Sequence, residues 1–154
     1  MTVEGLQHTP GKRIVVGIDG SPGSREALRW AHQEAELRGG SVTVVMAWAP
    51  VPMAVGAGLP PRIPDLTPDV AARQVLEAAV AEVYGPGGAT EVEQRVEHGS
   101  PAKVLIDLSD EADLLVVGGR GRGGFAGLAL GSVSQQVAQH SHCPVVVLPA
   151  GTHG

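Results

Sequence analysis

Five apolar runs recur along the chain, separated by longer stretches whose apolar positions return every three or four residues. The runs are Arg13–Ile18 (RIVVGI), Val42–Trp48 (VTVVMAW), Glu91–Glu97 (EVEQRVE), Leu114–Gly118 (LLVVG) and Val145–Leu148 (VVVL). Four are nearly continuous Val, Ile, Leu and Ala, the pattern of strands buried on both faces of a parallel sheet. The third alternates. Val92, Gln94 and Val96 oppose Glu91, Glu93, Arg95 and Glu97, which predicts an edge strand with one wet face.

The stretches between the runs predict helices. Ser21-Pro22, Thr67-Pro68 and Ser100-Pro101 each set a hydroxyl before a proline. A hydroxyl can cap a free N–H, and proline fits the first helical position. The first helix should run to about Arg38, with Ala27, Trp30, Ala31 and Ala35 on its inner face, and stop at Gly39-Gly40. The second should run from Pro68 to about Tyr84, with Val70, Val75, Ala78, Ala79 and Val83 as apolar positions, and end at Gly85-Pro86-Gly87-Gly88. The third spans roughly Pro101–Ser109, with Val104, Leu105 and Leu108 inward and Lys103 paired to Asp107 outside. The fourth begins near Ser132 and ends before Cys143-Pro144. Strict alternation of strand and helix implies an α/β fold, a mostly parallel sheet wound on both faces.

Length and composition bound this picture. A chain of 154 residues suits one domain, read here as residues 12–150 between tails at 1–11 and 151–154. Its 43% apolar and 3% aromatic residues call for an aliphatic core. The Pro/Gly-rich segment 49–66 is long for a connection inside a compact domain. It reads as a flap, a partner-binding loop or a variable surface insertion. The net charge of −5 offers no basic face for nucleic acid. A single cysteine, Cys143, permits no intramolecular disulfide and agrees with a reducing cytoplasm. Residues 1–11 lack the apolar region of a signal peptide, and no run is long enough for a membrane span. A cytoplasmic protein is expected.

The charge is unevenly spread. All 16 acids lie before residue 114, and beyond it the only Lys or Arg residues are Arg120 and Arg122. Both arginines sit in Gly118-Gly119-Arg120-Gly121-Arg122-Gly123-Gly124, directly after the fourth strand. Glycines let backbone N–H groups approach a ligand, arginines supply fixed donors, and a helix start adds partial positive charge. Such a loop is suited to an anion, above all the phosphates of a nucleotide. No lysine follows the glycines, so this is not a P-loop. Gly119, Gly121 and Gly124 form a GxGxxG pattern, but after the fourth strand and with no acid beyond it. That excludes a dinucleotide-binding fingerprint.

In an open α/β sheet, ligands sit beyond the carboxyl ends of strands where the winding reverses. Gly17-Ile18-Asp19-Gly20-Ser21 ends the first strand and would face the glycine loop if strands one and four are neighbours. Asp19 would then accept from ribose hydroxyls or hold Mg²⁺ against phosphates. Alternatively it caps the first helix together with Ser21. His140, His142 and Cys143 cluster, but three such residues lack a fourth metal ligand, and a histidine at a helix C-terminus is favourable for dipole reasons alone. His98 reads as a loop histidine, and Trp30 and Trp48 read as core. No Ser/His/Asp arrangement can be assembled.

Gly118-x-x-Gly121, nine residues, then Gly131-Ser132 matches the GxxGx9G(S/T) signature of the universal stress protein family. Val15-Val16-Gly17-Ile18-Asp19-Gly20-Ser21, Gly99-Ser100-Pro101-Ala102 and His142-Cys143-Pro144-Val145-Val146-Val147 also resemble that family. The resemblance covers residues 12–149. It implies an open five-stranded parallel sheet in the order 3-2-1-4-5, Rossmann-like and of the adenine nucleotide alpha hydrolase type. It further implies ATP binding. Gly17 and Asp19 would line the adenosine end, and Ala47 would touch adenine. Gly118, Gly119, Arg120 and Gly121 would follow the ribose and first phosphates, with Arg122 and Gly124 in the same loop. Gly131, Ser132 and Val133 would hold the outer phosphates. Family members commonly dimerise through the last strand, here Val145–Leu148. Without an evident general base, the expectation is a nucleotide-dependent regulatory module in stress response. The alternatives are a slow Mg²⁺-dependent ATPase and a dimeric interaction module that binds no nucleotide.

Overall fold

The structure is a computed structural model that describes residues 12–49, 67–87, 92–119 and 131–149. Its strands are β1 (Arg13–Gly17), β2 (Ser41–Trp48), β3 (Glu93–His98), β4 (Leu114–Gly118) and β5 (Val145–Leu148). Its helices are α1 (Pro22–Arg38), α2 (Pro68–Tyr84), α3 (Pro101–Leu108) and α4 (Ser132–His140), with a 3₁₀ turn at Ser109–Glu111. All four strand pairings are parallel and give the order β3-β2-β1-β4-β5. The winding therefore reverses between β1 and β4, where Ile14, Val15 and Val16 stand beside Leu114, Leu115 and Val116.

Alternation along the strands feeds two cores. Ile14, Val16, Val42, Val44, Leu114 and Val116 pack against Ala27, Leu28, Ala31 and Ala35 of α1 and Leu76, Ala79 and Val80 of α2. Val15, Val45, Leu115 and Val117 point the other way, against Val104 and Leu105 of α3 and Val137 of α4. Successive side chains on a strand face opposite sides, so a continuous aliphatic run supplies both layers. Each fully buried Leu, Ile or Val contributes roughly 1.5–3 kcal/mol.

The helix ends refine the expectations. Ser21, Thr67 and Ser100 all occupy extended N-cap positions before a proline. Of the three hydroxyls, the one that caps is Ser21, which accepts from the Ser24 amide at 3.2 Å. Thr67 instead turns its hydroxyl to the Asp69 carboxylate and holds that exposed group below the usual carboxylate range. On α2 the buried stripe is Ala72, Leu76, Ala79 and Val80, while Val70 is 40% exposed and Ala78 is exposed. The helix is rotated from the expected phase because Leu76 and Val80, rather than Val70 and Val75, fill the centre of the layer. On α1, Leu28 is wholly buried and Trp30 only partly. Lys103 and Asp107 do pair, at 3.0 Å.

The ends of α1 and β2 show why two glycines adjoin there. Gly39 closes α1 in the left-handed region at φ 67°. A Cβ on Gly40 would lie 2.3 Å from the Lys12 carbonyl oxygen, the same oxygen that accepts the Ser41 amide at 2.7 Å. Edge strand β3 carries Glu93, Arg95 and Glu97, with Arg95 and Glu97 paired at 2.9 Å. Val96 on its other face and Val92 just before it pack against the first core.

Candidate functional site

The carboxyl ends of β1 and β4 lie side by side at the reversal point, and a helix starts close to each. Gly17 ends β1 on the α3 side, where an added Cβ would meet Leu105 Cδ1 at 2.8 Å. After it, Asp19 accepts the Ser21 amide on Oδ1 at 2.9 Å. The Asp19 amide donates to Ser24 Oγ at 3.3 Å, and that hydroxyl donates to the Ser21 carbonyl at 2.9 Å. Asp19 thus takes part in the cap of α1, as one sequence reading had it. Arg25 braces the same turn: its Nη1 donates to the Gly20 carbonyl at 2.8 Å, and its Nε lies 3.4 Å from Glu82 on α2.

Gly118 ends β4 on the opposite side. An added Cβ would sit 3.0 Å from both the carbonyl carbon and oxygen of Gly23. The missing side chain at Gly118 therefore admits the first turn of α1, so that helix seats directly on the end of β4. The next residue begins a clasp. The Gly119 amide donates to the Leu148 carbonyl at 2.7 Å, and the Gly119 carbonyl accepts the Gly131 amide. Ser134 Oγ lies 3.1 Å from the Gly119 carbonyl and 3.0 Å from the Gly131 carbonyl. Gly119 and Gly131 are thereby held together. Arg120, Gly121, Arg122 and Gly124 lie outside the described residues.

Gly131 is the N-cap of α4, and no side chain caps this helix. Ser132, exposed, and Val133, half-buried against the second core, form its first turn. An uncapped helix start offers N–H groups and partial positive charge to an anion. Ala47 is half-buried near the end of β2, beside Glu97, on the α3 side with Gly17. Ser21, Ser24 and Ser134 are each at most 8% exposed, and each spends its hydroxyl on a strand-to-helix turn at this end of the sheet. Ser21 was marked in advance as a cap before proline, but no local pattern distinguishes the bonds made by Ser24, Ser134 or Arg25, because serine and arginine at helix starts are commonplace.

Other sequence candidates sit elsewhere. His98 packs edge-on against Trp48, ring centroids 4.7 Å apart. His142 Nδ1 lies 3.6 Å from Asp110, and the His142 amide donates to Ser109 Oγ at 2.8 Å. Among the described residues, no three or more His, Cys, Asp or Glu side chains come together as a metal site. Burial lifts the Cys143 thiol above its ordinary pKa, with the Asp113 charge adding to it and a Ser141 hydrogen bond opposing it. No described helix is long and apolar enough to cross a membrane.

Comparison with known proteins joins this geometry to a family. The profile of the Universal stress protein family matches residues 11–149. Universal stress protein Rv2623 of Mycobacterium tuberculosis is 36% identical over 138 residues, which cover 88% of this chain and 46% of the relative. The chain thus spans about half the length of the curated relatives it matches. A universal stress protein solved in complex with cAMP superposes with a TM-score of 0.67 at 32% identity, covering 91% of this chain and 98% of that one. The universal stress protein from Archaeoglobus fulgidus, solved in complex with dAMP, gives a TM-score of 0.61 at 26% identity, covering 90% and 98%. With the matched profile and the parallel sheet in the order 3-2-1-4-5, this chain belongs to the universal stress protein family.

Proposed function

We propose that this chain binds an adenine nucleotide, ATP in particular, across the carboxyl ends of β1 and β4 and acts as a nucleotide-dependent regulatory module in stress response. The observation that carries the reading is the clasp, in which Gly119, Gly131 and Ser134 seat the uncapped start of α4 against the end of β4. A helix N-terminus held beside the Gly118-Gly119 pair suits phosphate. Relatives solved with cAMP and dAMP support the adenine part of the proposal. In this reading Gly17, Asp19 and Ala47 serve the adenosine end. Gly118 and Gly119, with Arg120, Gly121, Arg122 and Gly124, serve the ribose and first phosphates. Gly131, Ser132 and Val133 serve the outer phosphates.

Mg²⁺ fits as an ion held chiefly by phosphates, with Asp19 as its one protein carboxylate. Because Asp19 Oδ1 already accepts the Ser21 amide, the reading favours binding over turnover. Edge chemistry supports a homodimer through β5. Edge strand β3 displays Glu93, Arg95 and Glu97, whereas Val145–Leu148 is wholly apolar and half-buried. An apolar edge strand invites pairing, and charges discourage it. The single cysteine accords with a reducing, cytoplasmic setting.

Native mass spectrometry of the purified protein, followed by calorimetric titration with ATP, AMP and GTP, tests the reading. The expected result is saturable ATP binding that is stronger than GTP binding, with Mg²⁺ strengthening it. Absence of heat and of any adduct with all three nucleotides would refute it.

A further inference from the structure

Ser134 is 2% exposed and sits two residues inside α4 from Ser132, where a serine usually bonds back to its own helix. Its contact with the Gly131 carbonyl at 3.0 Å is of that local kind. Its contact with the Gly119 carbonyl at 3.1 Å spans fifteen residues. Both carbonyls already have amide partners: Gly119 accepts from Gly131, and Gly131 accepts from Gln135 at 3.0 Å. Removing the hydroxyl leaves neither acceptor orphaned. What it removes is the side-chain tie between the first turn of α4 and the end of β4.

We infer that Ser134 is a positioning residue that sets how tightly the outer phosphates are held, as distinct from the adenosine end. The inference rests on the proposed nucleotide reading. The residues proposed for the outer phosphates, Gly131, Ser132 and Val133, belong to the turn that Ser134 ties down. Gly17, Asp19 and Ala47 lie on β1, the turn after it and β2. A loosened turn weakens phosphate contacts selectively, since preorganised donors lose strength when they must be ordered on binding.

The test is the ratio of ATP to AMP affinity, measured by titration for the parent and for Ser134→Ala. The expected ratio falls about tenfold, the scale of a hydrogen bond to a charged group, while AMP affinity changes less than about twofold on the same scale. An unchanged ratio, whether both affinities fall together or neither falls, overturns the inference. If Ser134→Ala does not fold, the isosteric pair Ser134→Thr and Ser134→Val decides, because the two differ in a hydroxyl at constant volume. Threonine should keep a higher ratio than valine, and equal ratios overturn the inference. A parent protein that binds neither nucleotide refutes the underlying reading itself, which is a different outcome from an unchanged ratio.

Discussion

A methyl group on Gly118 would lie 3.0 Å from the carbonyl carbon and oxygen of Gly23, so the end of β4 and the first turn of α1 meet backbone to backbone. Backbone atoms in a helix capped by Ser21 cannot shift as a side-chain tip can. Gly118→Ala is therefore expected to destabilise the fold by about 1–3 kcal/mol, the usual penalty of overpacking. Gly17→Ala should cost less, since its close neighbour is the terminal methyl of Leu105. Urea denaturation of the two variants checks the order. Equal midpoints would mean that α1 moves away from β4 freely.

The outward edge of β5 allows a sharper test of self-association. The Pro144 and Leu148 carbonyls accept from Leu115 of β4 and from Gly119 just after it, so residues 144, 146 and 148 present their backbone groups inward. By alternation Val145 and Val147 present theirs to the free edge. Val147→Pro removes an outward N–H while sparing the β4 pairing. Light scattering should find the parent dimeric and this variant monomeric, with the sheet retained by circular dichroism. A parent that is monomeric at high concentration contradicts the proposed dimer.

Cys143 provides a prediction about pH. Its thiol is raised first by desolvation and then by the charge of Asp113, against a hydrogen bond from Ser141. A group that binds its proton more tightly folded than unfolded stabilises the fold below its ordinary titration range. That contribution is lost as pH rises through the elevated value. Alkylation of Cys143 should accordingly show a midpoint above that of an unstructured thiol, at about 8.5, and a slow rate at neutral pH. A midpoint below the ordinary value would mean that a nearby positive group outweighs burial.

The parallel α/β class was legible because four aliphatic runs and one alternating run are interleaved with helices, whereas the strand order β3-β2-β1-β4-β5 was implied only by the resemblance to the universal stress protein family. Gly39, Gly85 and the three Ser/Thr-Pro pairs located the helix ends to within a residue or two. The phase of α2 was not legible, because valine and alanine occupy nearly every side of it and only packing selects Leu76. Hydroxyl capping was overread at Thr67 and Ser100, whose side chains make no cap bond. At the candidate site, the sequence marked the glycines but not what their missing side chains make room for. Gly118 is a contact with Gly23, a pairing of residues 95 positions apart that no local pattern encodes. The clasp was hidden for the same reason, since Ser134 reaches Gly119 across segment 120–130.

The central claim is that an adenine nucleotide sits where the sheet reverses its winding. Amide chemical-shift mapping of the isotope-labelled protein during titration with Mg²⁺-ATP tests it most directly. The largest shifts should fall together on Gly17–Ser21, Gly118–Gly119 and Gly131–Ser134, with AMP sparing the last group. Shifts that cluster instead around α2 and β3, or an unchanged spectrum at saturating nucleotide, would contradict it.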